Sequence, residues 1–190
     1  FGFQEEIGHQ VDVPELPDNL DAYLVDAESQ FNDIRPGLEK SILCVDTVGK
    51  FRTPLSIIFI HDFSASRVEK SPIPEKVATE LGANLFLTWL YGPGLSVEGL
   101  GAAQVKDWFR DTLEAYEIGK RLGGKFLIME TSKGSTFAFW LGFHHPDQSV
   151  HAMIHVSPNL GINDPKRVIA FMPWPRLIVK FVIAENVSGN

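Results

Sequence analysis

The stretch Ile128-Met129-Glu130-Thr131-Ser132-Lys133-Gly134-Ser135-Thr136 carries the strongest chemical signal in the chain. An apolar run ends at a hydroxyl residue, and an apolar segment of helical character begins directly after it. A strand–Ser–helix turn lifts the hydroxyl above a sheet, holds the serine in a tight backbone conformation and aims a helix N-terminus at it. In that setting Ser132 is a candidate nucleophile for a carbonyl carbon, and the amide of Lys133 lies near any oxyanion formed by the attack. Small residues are needed two positions either side, because the strand and helix backbones converge there. Gly134 meets that need downstream; Glu130 does not meet it upstream, so the pattern reads E-x-S-x-G. Any βα loop can hold Ser and Gly for structural reasons, so on the motif alone a nucleophile and a plain turn are equal readings.

Other side chains with chemical potential read more blandly. His61-Asp62-Phe63-Ser64-Ala65-Ser66 follows a buried-strand pattern, and a hydrogen-bonding role within the loop is the expectation for His61. Gly92-Pro93-Gly94 has too few glycines and no following Lys for a phosphate loop, so it reads as a turn. His151 and His155 are spaced to share a strand face and His144-His145 ends a helix, but free histidines at such places are commoner than ligands, and no metal site is expected. Asp107, Arg110, Asp111 and Glu114 read as a solvated helix face, and Trp108 and Phe109 as core packing.

The elements that must position these residues alternate. Residues 1–19, with Pro14 and Pro17, read as an extended lead-in. Leu20, Tyr23, Leu24, Ala27 and Phe31 recur at helical spacing, with Asn19 or Asp21 near the start and Arg35-Pro36-Gly37 as the break. Strands are expected over Ser41–Val48, Leu55–Ile60, Asn84–Leu90, Phe126–Met129 and Val150–Val156. Helices are expected over Pro74–Leu81, stopped by Gly82, and over Gly134–Phe143. The clearest helix is Val105–Leu122, whose stripe of Val105, Trp108, Phe109, Leu113, Tyr116 and Leu122 ends at Gly123-Gly124, where a helix stop belongs. Alternation of this kind implies right-handed crossovers and a mostly parallel sheet.

These turns in this order resemble the α/β-hydrolase family, and most of all its esterase and monoacylglycerol-lipase type. Its members carry H-G-F after one strand, G-H-G after the next and G-T-S-x-G-G at the nucleophile elbow. The equivalents here are His61-Asp62-Phe63, Gly92-Pro93-Gly94 and Glu130-Thr131-Ser132-Lys133-Gly134-Ser135. Leu20-Asp21-Ala22-Tyr23-Leu24, Asp107-Trp108 and Val156-Ser157-Pro158-Asn159 also resemble the family, so the likeness runs from about residue 20 to 165. It implies an α/β fold, a mostly parallel sheet flanked by helices, truncated near the lid: a core over 20–160 and the start of a lid or cap over 161–190. It also implies serine hydrolysis of a carboxylic ester, a lipid or acyl ester, with no cofactor. Ser132 would attack, and the backbone N–H groups of Phe63 and Lys133 would form the oxyanion hole, in a loop shaped by His61 and Asp62.

The departures sit at the motifs. Asp62 stands for a glycine beside the oxyanion loop, where a carboxylate opposes the developing charge. Glu130 stands for a glycine at the crowded base of the elbow, and the expectation is reduced or absent activity. The family's triad acid and histidine follow the lid, and none of Asp147, Asp164, Glu185, His144, His145, His151 or His155 is placed like them, so both are expected beyond Asn190. A serine without a base is a poor nucleophile. The alternative is therefore a non-catalytic member of the fold that works as a binding or interaction protein.

Composition narrows the class further. The chain has 190 residues, 44% hydrophobic and 22% charged, an ordinary folded mix. A net charge of −7 argues against nucleic acid as a partner, and one cysteine, Cys44, excludes an internal disulfide framework. Val168–Ile183, apolar and broken by Pro173 and Pro175, reads either as a lid that faces a lipid or membrane surface or as core. A cytoplasmic location is mildly favoured, with a signal or anchor upstream of Phe1 left open; the oligomeric state is not legible.

Overall fold

The computed structural model describes residues 11, 15–31, 34–62, 65–91, 104–145 and 149–160. His9–Leu160 forms one compact unit. The expected lid segment 161–190 and most of the lead-in lie outside the described residues.

Among the described residues, five strands form one sheet in the order β1-β3-β2-β4-β5. They are β1 (Ser41–Leu43), β2 (Thr53–Ile60), β3 (Asn84–Leu87), β4 (Gly123–Thr131) and β5 (Val150–Val156). Only the edge strand β1 is antiparallel; β2–β3, β2–β4 and β4–β5 all run parallel. The helices are α1 (Leu20–Ser29), α2 (Ile73–Leu81), α3 (Val105–Leu122) and α4 (Gly134–His144), with a short 3-10 turn over Arg67–Lys70.

Strict alternation along β2 explains the layering. Ile58 and Ile60 join Phe86, Phe126 and Ile128 in the core under α1, α3 and α4, while Ile57 and Phe59 join Leu85, Leu87, Leu127 and Met129 in the core that α2 covers with Ala78. A strand buried on both faces needs the continuous apolar run that the sequence shows there. Each fully buried Ile, Leu or Phe contributes about 1.5–3 kcal/mol, so β2 anchors both layers.

Several boundaries shift, each for a local reason. β1 stops at Leu43 instead of running to Val48, because Asp46 Oδ1 accepts the amides of Val48 (2.9 Å) and Gly49 (3.1 Å) and turns the chain. The ladder of β3 ends at Leu87, where Thr88 bonds to the Phe59 carbonyl through both its amide and its hydroxyl. α2 does end at Gly82, which takes the left-handed conformation (φ 58°) expected of a glycine stop. Gly123 does not: its φ is −141°, and it is already the first residue of β4. A Cβ there would meet the Ser56 amide at 2.6 Å, so closeness to β2 is what requires a glycine.

The reading of α3 as solvated along its charged residues is also corrected. Asp111 and Glu114 are buried, 6% and 5% exposed. Lys40, from the segment before β1, reaches both of them, and Tyr23 on α1 donates to Glu114 Oε1 at 2.8 Å. Helical periodicity shows which face carries charge but not whether a distant lysine arrives to cover it. Asp107 caps the helix by accepting the Gln104 amide at 3.0 Å.

Candidate active site

The C-terminal ends of β2, β3 and β4 converge on one edge of the sheet, and the turns that leave them hold the candidate residues. β4 ends at Thr131, α4 begins at Gly134, and Ser132 between them has φ 53°. A non-glycine residue in the left-handed region is strained by about 1 kcal/mol or more and persists only where its surroundings enforce it. Here they do. The Ser132 amide donates to the Val156 carbonyl of β5 at 3.1 Å, and the Ser132 carbonyl accepts the Asn159 amide at 2.9 Å. Lys133 is the N-cap of α4, so its amide lies at the positive end of that helix.

Gly134 shows why the turn is so tight. A Cβ on it would stand 2.7 Å from the Ile60 carbonyl oxygen, 3.2 Å from that of His61 and 3.3 Å from the Glu130 Cβ. α4 therefore leaves directly over β2 and β4, which is the convergence that the small residue downstream of Ser132 predicts.

His61 follows β2 and is fully buried. Its Nε2 accepts the Leu90 amide at 3.2 Å, so its Nδ1 carries the proton, and it donates to the Asp62 carbonyl at 2.7 Å. Burial pushes the imidazole down to about 4, which keeps it neutral. The ring pins the end of β2 to the end of β3. Asp62 follows it, half-buried. Phe63, the other expected oxyanion amide, and the Gly92-Pro93-Gly94 turn lie outside the described residues.

A chain of this design has relatives. Over 94 residues it is 27% identical to the thermostable monoacylglycerol lipase of Bacillus sp. strain H-257, a match that covers 50% of this chain and 37% of that enzyme. A solved structure from work on LipS and LipT, two metagenome-derived lipolytic enzymes, superposes with a TM-score of 0.63 at 16% identity, over 73% of this chain and 53% of that one. No family model matches. The chain has an α/β-hydrolase-type fold, a mostly parallel sheet flanked by helices. It spans about half the length of that solved relative and just over a third of the Bacillus lipase.

The histidines of this hydrolase fold divide clearly. His144 Nδ1 donates to the Trp140 carbonyl at 2.9 Å and its ring stacks on Trp140, while His145 lies against Tyr116, so both belong to the C-terminal end of α4. His151 is exposed at a register irregularity of β5. His155 instead meets Glu130, its neighbour across the β4–β5 ladder, through Nδ1 and Oε1. Among the described residues no three His, Cys, Asp or Glu side chains are grouped as a metal would need.

Glu130 is the residue whose surroundings the sequence did not reveal. It is fully buried, with Oε2 accepting from Ser135 Oγ at 2.5 Å and Oε1 held by His155. Its bulk lies on the side of the sheet that α4 covers. The sequence did hold a signal, because Glu130 and Ser135 both stand where the resembled pattern has glycine, and the two bond to one another.

Proposed function

We propose that this chain carries the nucleophile of a serine hydrolase that cleaves carboxylic esters of the lipid or acyl class. The observation that carries the proposal is the left-handed Ser132 (φ 53°) between β4 and α4, held against β2 by the one residue type that fits at 134. The likeness to a monoacylglycerol lipase and to lipolytic enzymes supports an ester as substrate.

In this reading Ser132 Oγ attacks the ester carbonyl, and the amides of Lys133 and Phe63 stabilise the oxyanion of the tetrahedral intermediate. Collapse expels the alcohol and leaves an acyl-serine, which water hydrolyses. His61, His144 and His155 are engaged with Leu90, Trp140 and Glu130, so the base for Ser132 and its acid partner are assigned outside the described residues. Asp62 beside the oxyanion loop slows the reaction, and Asp62→Gly should raise short-chain ester turnover roughly tenfold, about 1.4 kcal/mol of barrier.

A second reading, a non-catalytic binding protein on the same fold, is favoured by the two acids at motif positions, Asp62 and Glu130. A fluorophosphonate probe on the full-length protein separates the two. Labelling that vanishes in Ser132→Ala supports the hydrolase; no labelling of the full-length wild type supports the binding protein.

A further inference from the structure

Ser132 is held by hydrogen bonds to two places, Val156 at the end of β5 and Asn159 just beyond it, and Thr136 Oγ1 on α4 donates in turn to the Asn159 carbonyl at 3.3 Å. The left-handed turn therefore depends on where β5 ends and where α4 begins. One side chain spans both. Glu130, two residues before Ser132 on β4, receives Ser135 from the first turn of α4 on one oxygen and His155 from the last turn-ward residues of β5 on the other. His155 adjoins Val156, the acceptor of the Ser132 amide, and its ring lies flat on Phe139 of α4, 4.6 Å between centroids and 10° from parallel. The imidazole thus faces Glu130 and Phe139, which suits a brace.

We propose that Glu130, gripped by Ser135 and His155, is the positioning residue that keeps Ser132 in its left-handed conformation. A glycine at 130 lets strand and helix meet backbone to backbone. In this chain a carboxylate makes the connection, with its charge met by a hydroxyl and an imidazole N–H, as a buried carboxylate requires. For the reactivity of Ser132 this inference rests on the ester-hydrolase reading; for the backbone of Ser132 it stands apart from it.

The test is amide hydrogen exchange at Ser132 and Asn159 in the full-length protein, with Ile118 on α3 as the reference amide. Glu130→Met fills the volume without a polar atom and should speed exchange at both sites at least about tenfold while Ile118 is unchanged. Glu130→Gln can still accept from Ser135 and pair with His155, and should stay within about threefold of wild type. His155→Phe keeps the stacking on Phe139, loses the N–H, and should speed exchange by more than about threefold. It decides the question if Glu130→Met does not fold. Protection in Glu130→Met or His155→Phe equal to wild type overturns the brace, and so does a Glu130→Gln variant as poorly protected as Glu130→Met. Fluorophosphonate labelling is read separately. A wild type that never labels sinks the hydrolase reading and leaves the exchange result to decide the brace.

Discussion

Two groups of buried carboxylates lie under the same helical layer, and they are built differently. Asp111 and Glu114 sit one turn apart on α3, an uninterrupted 18-residue helix, and face Lys40 with side chains only 6–7% exposed. Glu130 sits at the end of a strand, directly beneath a strained serine, and meets a hydroxyl and an imidazole. The first group joins distant parts of the chain in relaxed backbone. Lys40 brings in the segment before β1, Tyr23 brings in α1, and Asp111 Oδ2 accepts the Tyr91 amide at 2.7 Å after β3. Burial opposes the Lys40 charge, but Asp111 and Glu114 together outweigh it and raise its affinity for the proton. Burial also pushes Asp111 up to about 6, against the pull of Lys40. The difference teaches that buried charge holds this fold together at one place and holds a reactive-looking turn in shape at the other.

The comparison breaks most visibly at Lys40. Lys40→Met leaves two buried carboxylates without their cation and should cost about 3–5 kcal/mol in urea denaturation at pH 7. A loss below 1 kcal/mol would show that the first group is not a structural tie. Next comes His61, whose pin to Leu90 borders the site. Its folded-state value of about 4 lies below the ordinary 6.5, so its contribution is complete above pH 6.5 and lost as pH falls toward 4. The loss through this group is about 3 kcal/mol. Asp111, raised by burial, works in the opposite direction: its contribution is complete below its ordinary range and is lost as pH rises through about 6. The stability gap between wild type and His61→Phe should therefore narrow by about 3 kcal/mol on acidification from pH 6.5 to 4, followed by denaturant titration at each pH; a constant gap refutes it.

Gly134→Ala tests the other region. Its methyl would press on the Ile60 carbonyl, and about 1–3 kcal/mol of destabilisation is expected, with loss of any fluorophosphonate labelling. The smallest effect has the opposite sign. Ser132→Gly removes the strain of a positive φ and should stabilise the fold by about 1 kcal/mol, read as a higher thermal midpoint, while abolishing labelling. No comparable gain is expected from glycine on α3, where it should cost about 1 kcal/mol.

The layered α/β architecture was legible because apolar periodicity reports burial directly. The bounds of α3 match the expected Val105–Leu122, β5 matches Val150–Val156, and β2 covers the expected Leu55–Ile60 and begins two residues earlier, at Thr53. The sharp turn at Ser132 was legible too, because a strand cannot pass into a helix over two residues without an unusual backbone, and Gly134 marked where the backbones meet. Phe63 and the residues after Asn159 were expectations on which the described residues do not bear.

Partnership between distant residues was a different matter. Asp111 and Glu114 look like any exposed helical acids until Lys40, more than seventy positions away from either, is folded onto them. Glu130 looks like a misplaced charge until β5 sets His155 beside it in the ladder. By itself the sequence determined which segments are strands and helices, which faces are apolar and where the chain must turn sharply, because those depend on neighbours a few residues apart. Only the tertiary structure decided which charges are satisfied, because satisfying a buried charge requires a partner within hydrogen-bond reach, and sheet order and helix packing alone bring such partners together.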